Sequence, residues 1–305
     1  MNMSKLVIVD GNAILHRAFH AIPPLTTPKQ EPINAVYGFV SMILKVIQDL
    51  RPTAIAVAFD EKEKTFRQVA LPSYQAQRPP TANELSSQFD KARKFLESAK
   101  IPVYSKPGYE ADDVIGTIAS SVQRIGGSWE TVIITGDRDI LQLVDDKKNI
   151  KLFMPVGGIS NGKLFGETET VERLGVGPKL IPDYKGLVGD ASDNYFGVVG
   201  IGPKTAINLL NQFGSFNSIY KNLSKIPEKL KEKLEKGRQG AELSYKLATI
   251  VRDVLVKFDF DAMENWKVDS QDVLELFSEF GFNTLTRRIQ EVGKKLEDEK
   301  QMTLL

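Results

Sequence analysis

The stretch Thr131-Val132-Ile133-Ile134-Thr135-Gly136-Asp137-Arg138-Asp139 decides the fold. Thr131 to Ile134 are all β-branched and do not alternate with charged positions, the pattern of a strand buried on both faces of a parallel sheet. The run stops at a glycine, and two aspartates follow. Two more segments repeat the arrangement: Leu6-Val7-Ile8-Val9 runs into Asp10-Gly11, and Ala54 to Phe59 runs into Asp60. Lys151 to Met154 adds a further strand. Helical patterns lie between the strands. From Val36 the apolar positions Phe39, Val40, Ile43, Leu44, Ile47 and Leu50 recur at three and four residues until Arg51-Pro52, and a second helix runs from Glu110 to about Ile125 and stops at Gly126-Gly127. Strand, helix, strand in this order predicts right-handed crossovers and an open α/β sheet, with almost only helices after it.

Ligands of such sheets bind beyond the carboxyl ends of the strands. Asp10, Asp60, Asp137 and Asp139 are therefore aimed at one edge. The helix opened by Gly108-Tyr109 adds Glu110, Asp112 and Asp113, and Gly189-Asp190-Ala191-Ser192-Asp193 adds Asp190 and Asp193. Taken singly, each has a bland reading, because acids complement the positive end of a helix and cap turns. Gathered together they repel one another and call for cations. Oxygen-only ligands select Mg²⁺ or Mn²⁺ over zinc or copper. Asp137-x-Asp139 continues as Ile140-Leu141, which is no EF-hand. The acids are too many for one small ion, and paired ions suit in-line attack on a phosphodiester.

Composition narrows the field. The 305 residues are 42% hydrophobic, enough for a sizeable core, and contain no cysteine, which removes disulfides, thiol nucleophiles and Cys-ligated metals. His16 and His20 are the only histidines, so a serine triad is disfavoured. The net charge is +1, but setting the nine clustered acids aside leaves 30 acids against 40 bases, a balance of +10 that suits a polyanionic partner. The N-terminus is no signal peptide, and no apolar run approaches the roughly eighteen residues of a membrane span. A cytoplasmic monomer with no membrane partner is expected.

The segment from Asp193 to Ala206 contains Gly200-Ile201-Gly202-Pro203-Lys204-Thr205. It lacks the third glycine of a dinucleotide fingerprint and has Pro203 where a P-loop needs glycine. It reads instead as a tight hairpin between helices, with Pro203 at the first helical position and Gly214 at the stop. The amides from Gly200 to Lys204 then face a phosphate, and contact through them is independent of base sequence.

Eight motifs occur in the order found in the 5′ nucleases: Val9-Asp10-Gly11, Ala35-Val36-Tyr37-Gly38-Phe39, Phe59-Asp60, Thr65-Phe66-Arg67, Gly108 to Asp113, Thr135 to Asp139, Leu187 to Asn194 and Gly200 to Ala206. From about Lys5 to Ile289 the chain resembles the N-terminal 5′–3′ exonuclease domain of bacterial DNA polymerase I, a relative of the flap endonucleases. The resemblance implies a PIN-like parallel-sheet core over residues 1–175 with an arch at 61–106, a helix-three-turn-helix region over 176–290, and a tail or linker over 291–305. It implies two metal groups, Asp10, Asp60, Glu110 and Asp112 with Asp113 close by, and Asp137, Asp139, Asp190 and Asp193. It also implies a K⁺ ion on the carbonyls of the hairpin, with Gly200, Gly202, Lys204 and Thr205 contacting DNA. Substrates implied are 5′ flaps, nicks and 5′ ends, RNA primers among them, with a covalently attached polymerase domain as partner.

Glu61 to Lys106 contains nine Lys/Arg against five acids, with Tyr74 among them, a composition that suits single-stranded nucleic acid and equally a solvated loop. The resemblance makes it the arch. Here Gln75 stands where the family usually has lysine, and Arg78 or Arg67 is the expected substitute in catalysis. Lys225 to Arg238 reads as a solvated helix, and Lys294 to Leu305 as a linker. Two other functions compete: a catalytically silent junction-binding module, suggested by Gln75, and a haloacid-dehalogenase-type phosphatase, which needs a second Asp where this chain has Asn12.

Overall fold

Alternate residues of one strand feed two different cores. Leu6 and Ile8 pack on one side of the sheet with Ile115 and Ile133, whereas Val7 and Val9 pack on the other with Ile43, Val57 and Ile134. Successive side chains of a strand point to opposite faces, so a strand apolar at every position is one covered on both. The computed structural model describes residues 3–123, 128–155 and 162–303.

The first part of the chain runs β1 (Ser4–Asp10), α1 (Gly11–Ala21), α2 (Asn34–Leu50), β2 (Ala54–Ala58), α3 (Phe66–Ala70), α4 (Asn83–Ser98), β3 (Val103–Tyr104), α5 (Ala111–Val122), β4 (Trp129–Ile134), β5 (Ile150–Pro155), β6 (Gly162–Phe165) and α6 (Glu167–Leu174). The sheet order is β3-β2-β1-β4-β5-β6, parallel except for the β5–β6 pair. The chain builds outward from β1 through β2 and β3, then crosses to β4 on the other flank. That reversal opens a crevice at the carboxyl ends of β1 and β4.

Local chemistry sets the element ends. Arg51 closes α2 in the left-handed region at φ 49° just before Pro52. Glu110 and Asp113 form a capping box that starts α5. The expected stop of that helix at Gly126-Gly127 lies outside the described residues. The short β3 and the antiparallel β6 have too few residues to show in the apolar pattern.

The helical region contains α7 (Ile181–Val188), a ribbon of β7 (Gly189–Asp190) and β8 (Tyr195–Phe196), α8 (Pro203–Phe213), α9 (Phe216–Lys221), α10 (Glu228–Ala248), α11 (Phe260–Glu264), α12 (Gln271–Phe280) and α13 (Asn283–Thr303). Its last helices return to the sheet. Lys267 N–H donates to the Ala99 carbonyl at 2.8 Å, and the Phe277 ring stacks on Phe95 at 5.9 Å. The linker expected from Lys294 is instead the continuation of α13 to Thr303. Leu285, Ile289 and Val292 are buried at helical spacing, and Arg288 donates to Gln48 at 3.1 Å. The density of lysine and glutamate on the exposed side masks that stripe. Among the described residues no helix is long and apolar enough to cross a membrane.

Candidate active site

A cleft of about 850 Å³ opens where the ends of β1 and β4 meet the start of α5. Asp10, Asp60, Glu110, Asp112, Asp137, Asp139 and Asp193 all line it. Each arrives by a different local device. Asp10 caps α1, accepting from Ala13 N–H at 2.9 Å through one oxygen and from the Thr135 hydroxyl at 2.7 Å through the other. Asp60 accepts from Ala111 N–H at 2.7 Å, which ties the end of β2 to α5. Asp137 accepts from Asp139 N–H at 2.8 Å, while its own N–H donates to the Thr135 hydroxyl at 3.0 Å. The capping roles foreseen for single acids are therefore real, and they orient the same carboxylates into the cleft.

The second half of the cluster hangs on the β7–β8 ribbon, in which Asp190 pairs with Tyr195. Asp139, Asp190 and Asp193 offer oxygens within 4.8 Å of one another. Asp190 accepts from Ser192 N–H at 2.8 Å. Asp193 accepts from the Tyr74 hydroxyl and from the Gln75 amide, both at 3.3 Å, and pairs with Arg78. Gln75 thus brings an amide to the acids where the resemblance expects an ammonium.

Three of the expected site residues are engaged in other contacts. Asp113 does not line the cleft: it is fully buried, its oxygens accept from Arg67 at 2.7 and 2.9 Å, and Val251 N–H and Glu110 N–H donate to it at 2.9 and 3.1 Å. Arg67, expected as a substitute for the lysine, is pinned in place, its guanidinium also held by the Leu247 and Thr249 carbonyls at 2.8 and 3.0 Å. Where it lines the cleft it also pairs with Glu110, at 3.2 Å. Tyr74 is 5% exposed and stacked on Tyr195, so its ring is closed to a nucleic-acid base. Arg78 alone of the proposed arch groups keeps a half-exposed side chain at the cleft mouth.

One residue escaped the sequence reading. Lys185, in the last turn of α7, donates to both Asp139 and Asp190. A lysine near a helix C-terminus is ordinary, and no motif marked it. Thr135, quoted above only as part of its motif, supplies the hydroxyl that orients Asp10.

The electrostatics show that the acids are held against their repulsion. Burial pushes the Asp10 carboxyl up to about 7, with the charges of Asp60 and Asp137 adding to it. Burial likewise lifts Glu110 to about 7 despite Arg67, and Asp139 to about 6 despite Lys185. Asp112 is raised by burial and then by Asp137, Asp10, Glu110 and Asp60. A crowd of oxygen donors with so few cations fits hard divalent ions.

The ion-free protein should therefore lose stability as pH rises. The folded state keeps protons on Asp10, Glu110 and Asp139 that the unfolded chain releases near pH 4, so the stabilisation present below that pH fades through pH 6 to 7. Melting in EDTA is expected to be lower at pH 8 than at pH 6 by on the order of 5 °C, and saturating Mg²⁺ should restore it. Equal melting at both pH values would count against this electrostatics.

The hairpin after the ribbon is open to solvent. Gly200 has φ 79°, Gly202 caps α8, and Gly202, Pro203, Lys204 and Thr205 line a shallow depression at the helix N-terminus. Gly197 lies so close to the Leu187 carbonyl that an added Cβ would meet its oxygen at 2.2 Å, which anchors hairpin to ribbon. Lys233 of α10 donates to the Gly200 carbonyl at 3.1 Å.

Comparison with known proteins agrees with this geometry. Residues 5–175 match the family described as 5′-3′ exonuclease, N-terminal resolvase-like domain, and residues 176–271 match 5′-3′ exonuclease, C-terminal SAM fold. A 5′-3′ exonuclease of Aquifex aeolicus is 35% identical over 96% of this chain and 98% of its own. DNA polymerase I of Caldicellulosiruptor bescii is 40% identical over 93% of this chain, which spans only 33% of the polymerase. The T5 D15 protein co-crystallized with metal ions shares the fold at a TM-score of 0.66 and 22% identity, over 95% of this chain and 99% of that one. Sheet, cleft and hairpin all fall inside the matched ranges, and the chain belongs to the 5′–3′ exonuclease family.

Proposed function

We propose that the protein hydrolyses DNA phosphodiesters at 5′ ends, nicks and 5′ flaps, with Mg²⁺ or Mn²⁺ held by two groups of carboxylates. Asp10, Asp60, Glu110 and Asp112 form the first group and Asp137, Asp139, Asp190 and Asp193 the second. The observation that carries this reading is the convergence of seven carboxylates from three strand ends, one helix start and the ribbon in a single cleft. Bound divalent ions would supply an activated water and neutralise the leaving oxygen.

The chain's own groups do the rest. Thr135 and Ala13 hold Asp10, and Tyr74 and Gln75 hold Asp193, so these ligands are oriented before substrate arrives. Arg78 offers a planar guanidinium at the mouth, suited to a phosphate. Pro79, Pro80 and Leu85 line the same cleft, which supports a strand entering beneath residues 61–106. At the hairpin, the amides near Gly200 and Gly202 with Lys204 and Thr205 would take a backbone phosphate without reading bases, and a K⁺ ion there would share the Gly200 carbonyl with Lys233. The resemblance to the polymerase's exonuclease domain is the ground for including displaced 5′ strands and RNA primers among the proposed substrates, met beside an attached polymerase.

The test is single-turnover cleavage of a labelled 5′-flap duplex, a nicked duplex and an isolated single strand, with Arg78→Ala alongside wild type. Flap and nick should be cut well ahead of the single strand. Arg78→Ala should slow cleavage by about 10²-fold and leave flap affinity nearly unchanged. Equal cutting of all three would remove structure selectivity, and an unchanged Arg78→Ala rate would remove that residue from the chemistry. Binding without cleavage would favour the silent module that Gln75 suggests.

A further inference from the structure

Lys185 already supplies a positive charge to the second carboxylate group. Its side chain is 13% exposed, and its ammonium bridges Asp139 and Asp190, two of the three acids whose oxygens converge within 4.8 Å. A lysine ammonium is a compact point charge with rotatable donors on a flexible stem, so it can neutralise these acids and also leave them. Beside it lies an uncommon feature. Tyr195 is 2% exposed, and its buried hydroxyl has no hydrogen-bond partner among the described residues. Tyr195 lies directly across the ribbon from Asp190, one of the two acids that Lys185 holds. A buried hydroxyl left unpaired is costly, and the cost is explained if a second state of the site gives it a partner.

We propose that Lys185 is the resident cation of the second site, displaced from Asp139 and Asp190 when a divalent ion binds, and that the Tyr195 hydroxyl accepts the displaced ammonium. This rests on the second metal group proposed above. Loading the site is then an exchange of cations: Lys185 holds the ion-free acids together and weakens the divalent ion's apparent affinity by competing for the same oxygens. Tyr195 favours the loaded state by receiving Lys185. A structural ion pair that merely stapled α7 to the 3₁₀ turn at Asp139–Leu143 would stabilise both states equally and leave metal affinity alone.

The test is calorimetric titration of Mn²⁺ into the full chain, comparing wild type with Lys185→Met, Lys185→Arg, Tyr195→Phe and Asp190→Asn, together with melting in EDTA. Asp190→Asn identifies which ion belongs to the second site. Lys185→Met should bind that ion about tenfold tighter while melting lower in EDTA, and Lys185→Arg, which keeps the charge, should not tighten it. Tyr195→Phe should bind the same ion several-fold more weakly without melting lower in EDTA. Unchanged or weaker affinity in Lys185→Met would overturn the exchange, and unchanged affinity in Tyr195→Phe would overturn the role of the hydroxyl. A wild-type protein with no Asp190-dependent ion would overturn the second metal group itself, and the exchange with it.

Discussion

Asp112→Asn is expected to lower the single-turnover rate on a 5′-flap duplex by at least about a thousandfold and, at the same time, to raise the melting temperature of the ion-free protein. Burial and then the charges of Asp137, Asp10, Glu110 and Asp60 all oppose ionisation of Asp112. Asparagine keeps the shape and removes the charge. The proposed metal group would lose a ligand, while the ion-free cleft would lose a source of repulsion. Activity and stability should therefore move in opposite directions, which a loss of folding could not mimic. Kinetics and melting in EDTA on one preparation read both, and a parallel fall in the two would show that Asp112 serves the fold and not the chemistry.

Arg67→Ala has the opposite profile, a large loss of stability. Arg67 joins α3, α5 and the end of α10 through Asp113, Leu247 and Thr249. Truncation leaves the fully buried Asp113 carboxylate without its counter-charge and two carbonyls without donors. Breaking such a pair costs about 3–5 kcal/mol, or on the order of 10 °C in melting temperature. Lysine should rescue little, since it cannot reproduce the two-pronged contact. Denaturant unfolding measures the loss, and a change below about 1 kcal/mol would show that the pair is not what holds the base of the arch to the helical region.

The parts of this molecule that could be read from sequence are those in which local pattern and global position coincide. β1, β2 and β4 are continuous apolar runs because both faces are covered, and each is followed within a few residues by the acid that enters the cleft: Asp10, Asp60 and Asp137. Topology then does the rest, since parallel strands must end at one edge. The buried settings of Arg67, Tyr74 and Asp113 are not legible in the sequence, because some of their neighbours come from the end of α10 and the ribbon, far along the chain, and residue type alone does not say whether a side chain faces solvent or a buried partner. Lys185 carries no signal in the sequence: the helix it sits on is ordinary, Asp190 follows it by five residues, and only the tertiary fold brings Asp139 to its other side. The helical continuation past Lys294 is hidden by composition, because the stripe of Leu285, Ile289 and Val292 extends there only through the half-buried Leu296 in a highly charged run.

The most direct test of a metal-dependent 5′ nuclease is release of a labelled flap by the wild-type protein with Mg²⁺, with Mn²⁺ and with EDTA. Release with either divalent ion and none in EDTA is the expected result. Cleavage undiminished in EDTA, or tight flap binding with no cleavage under either ion, would contradict it.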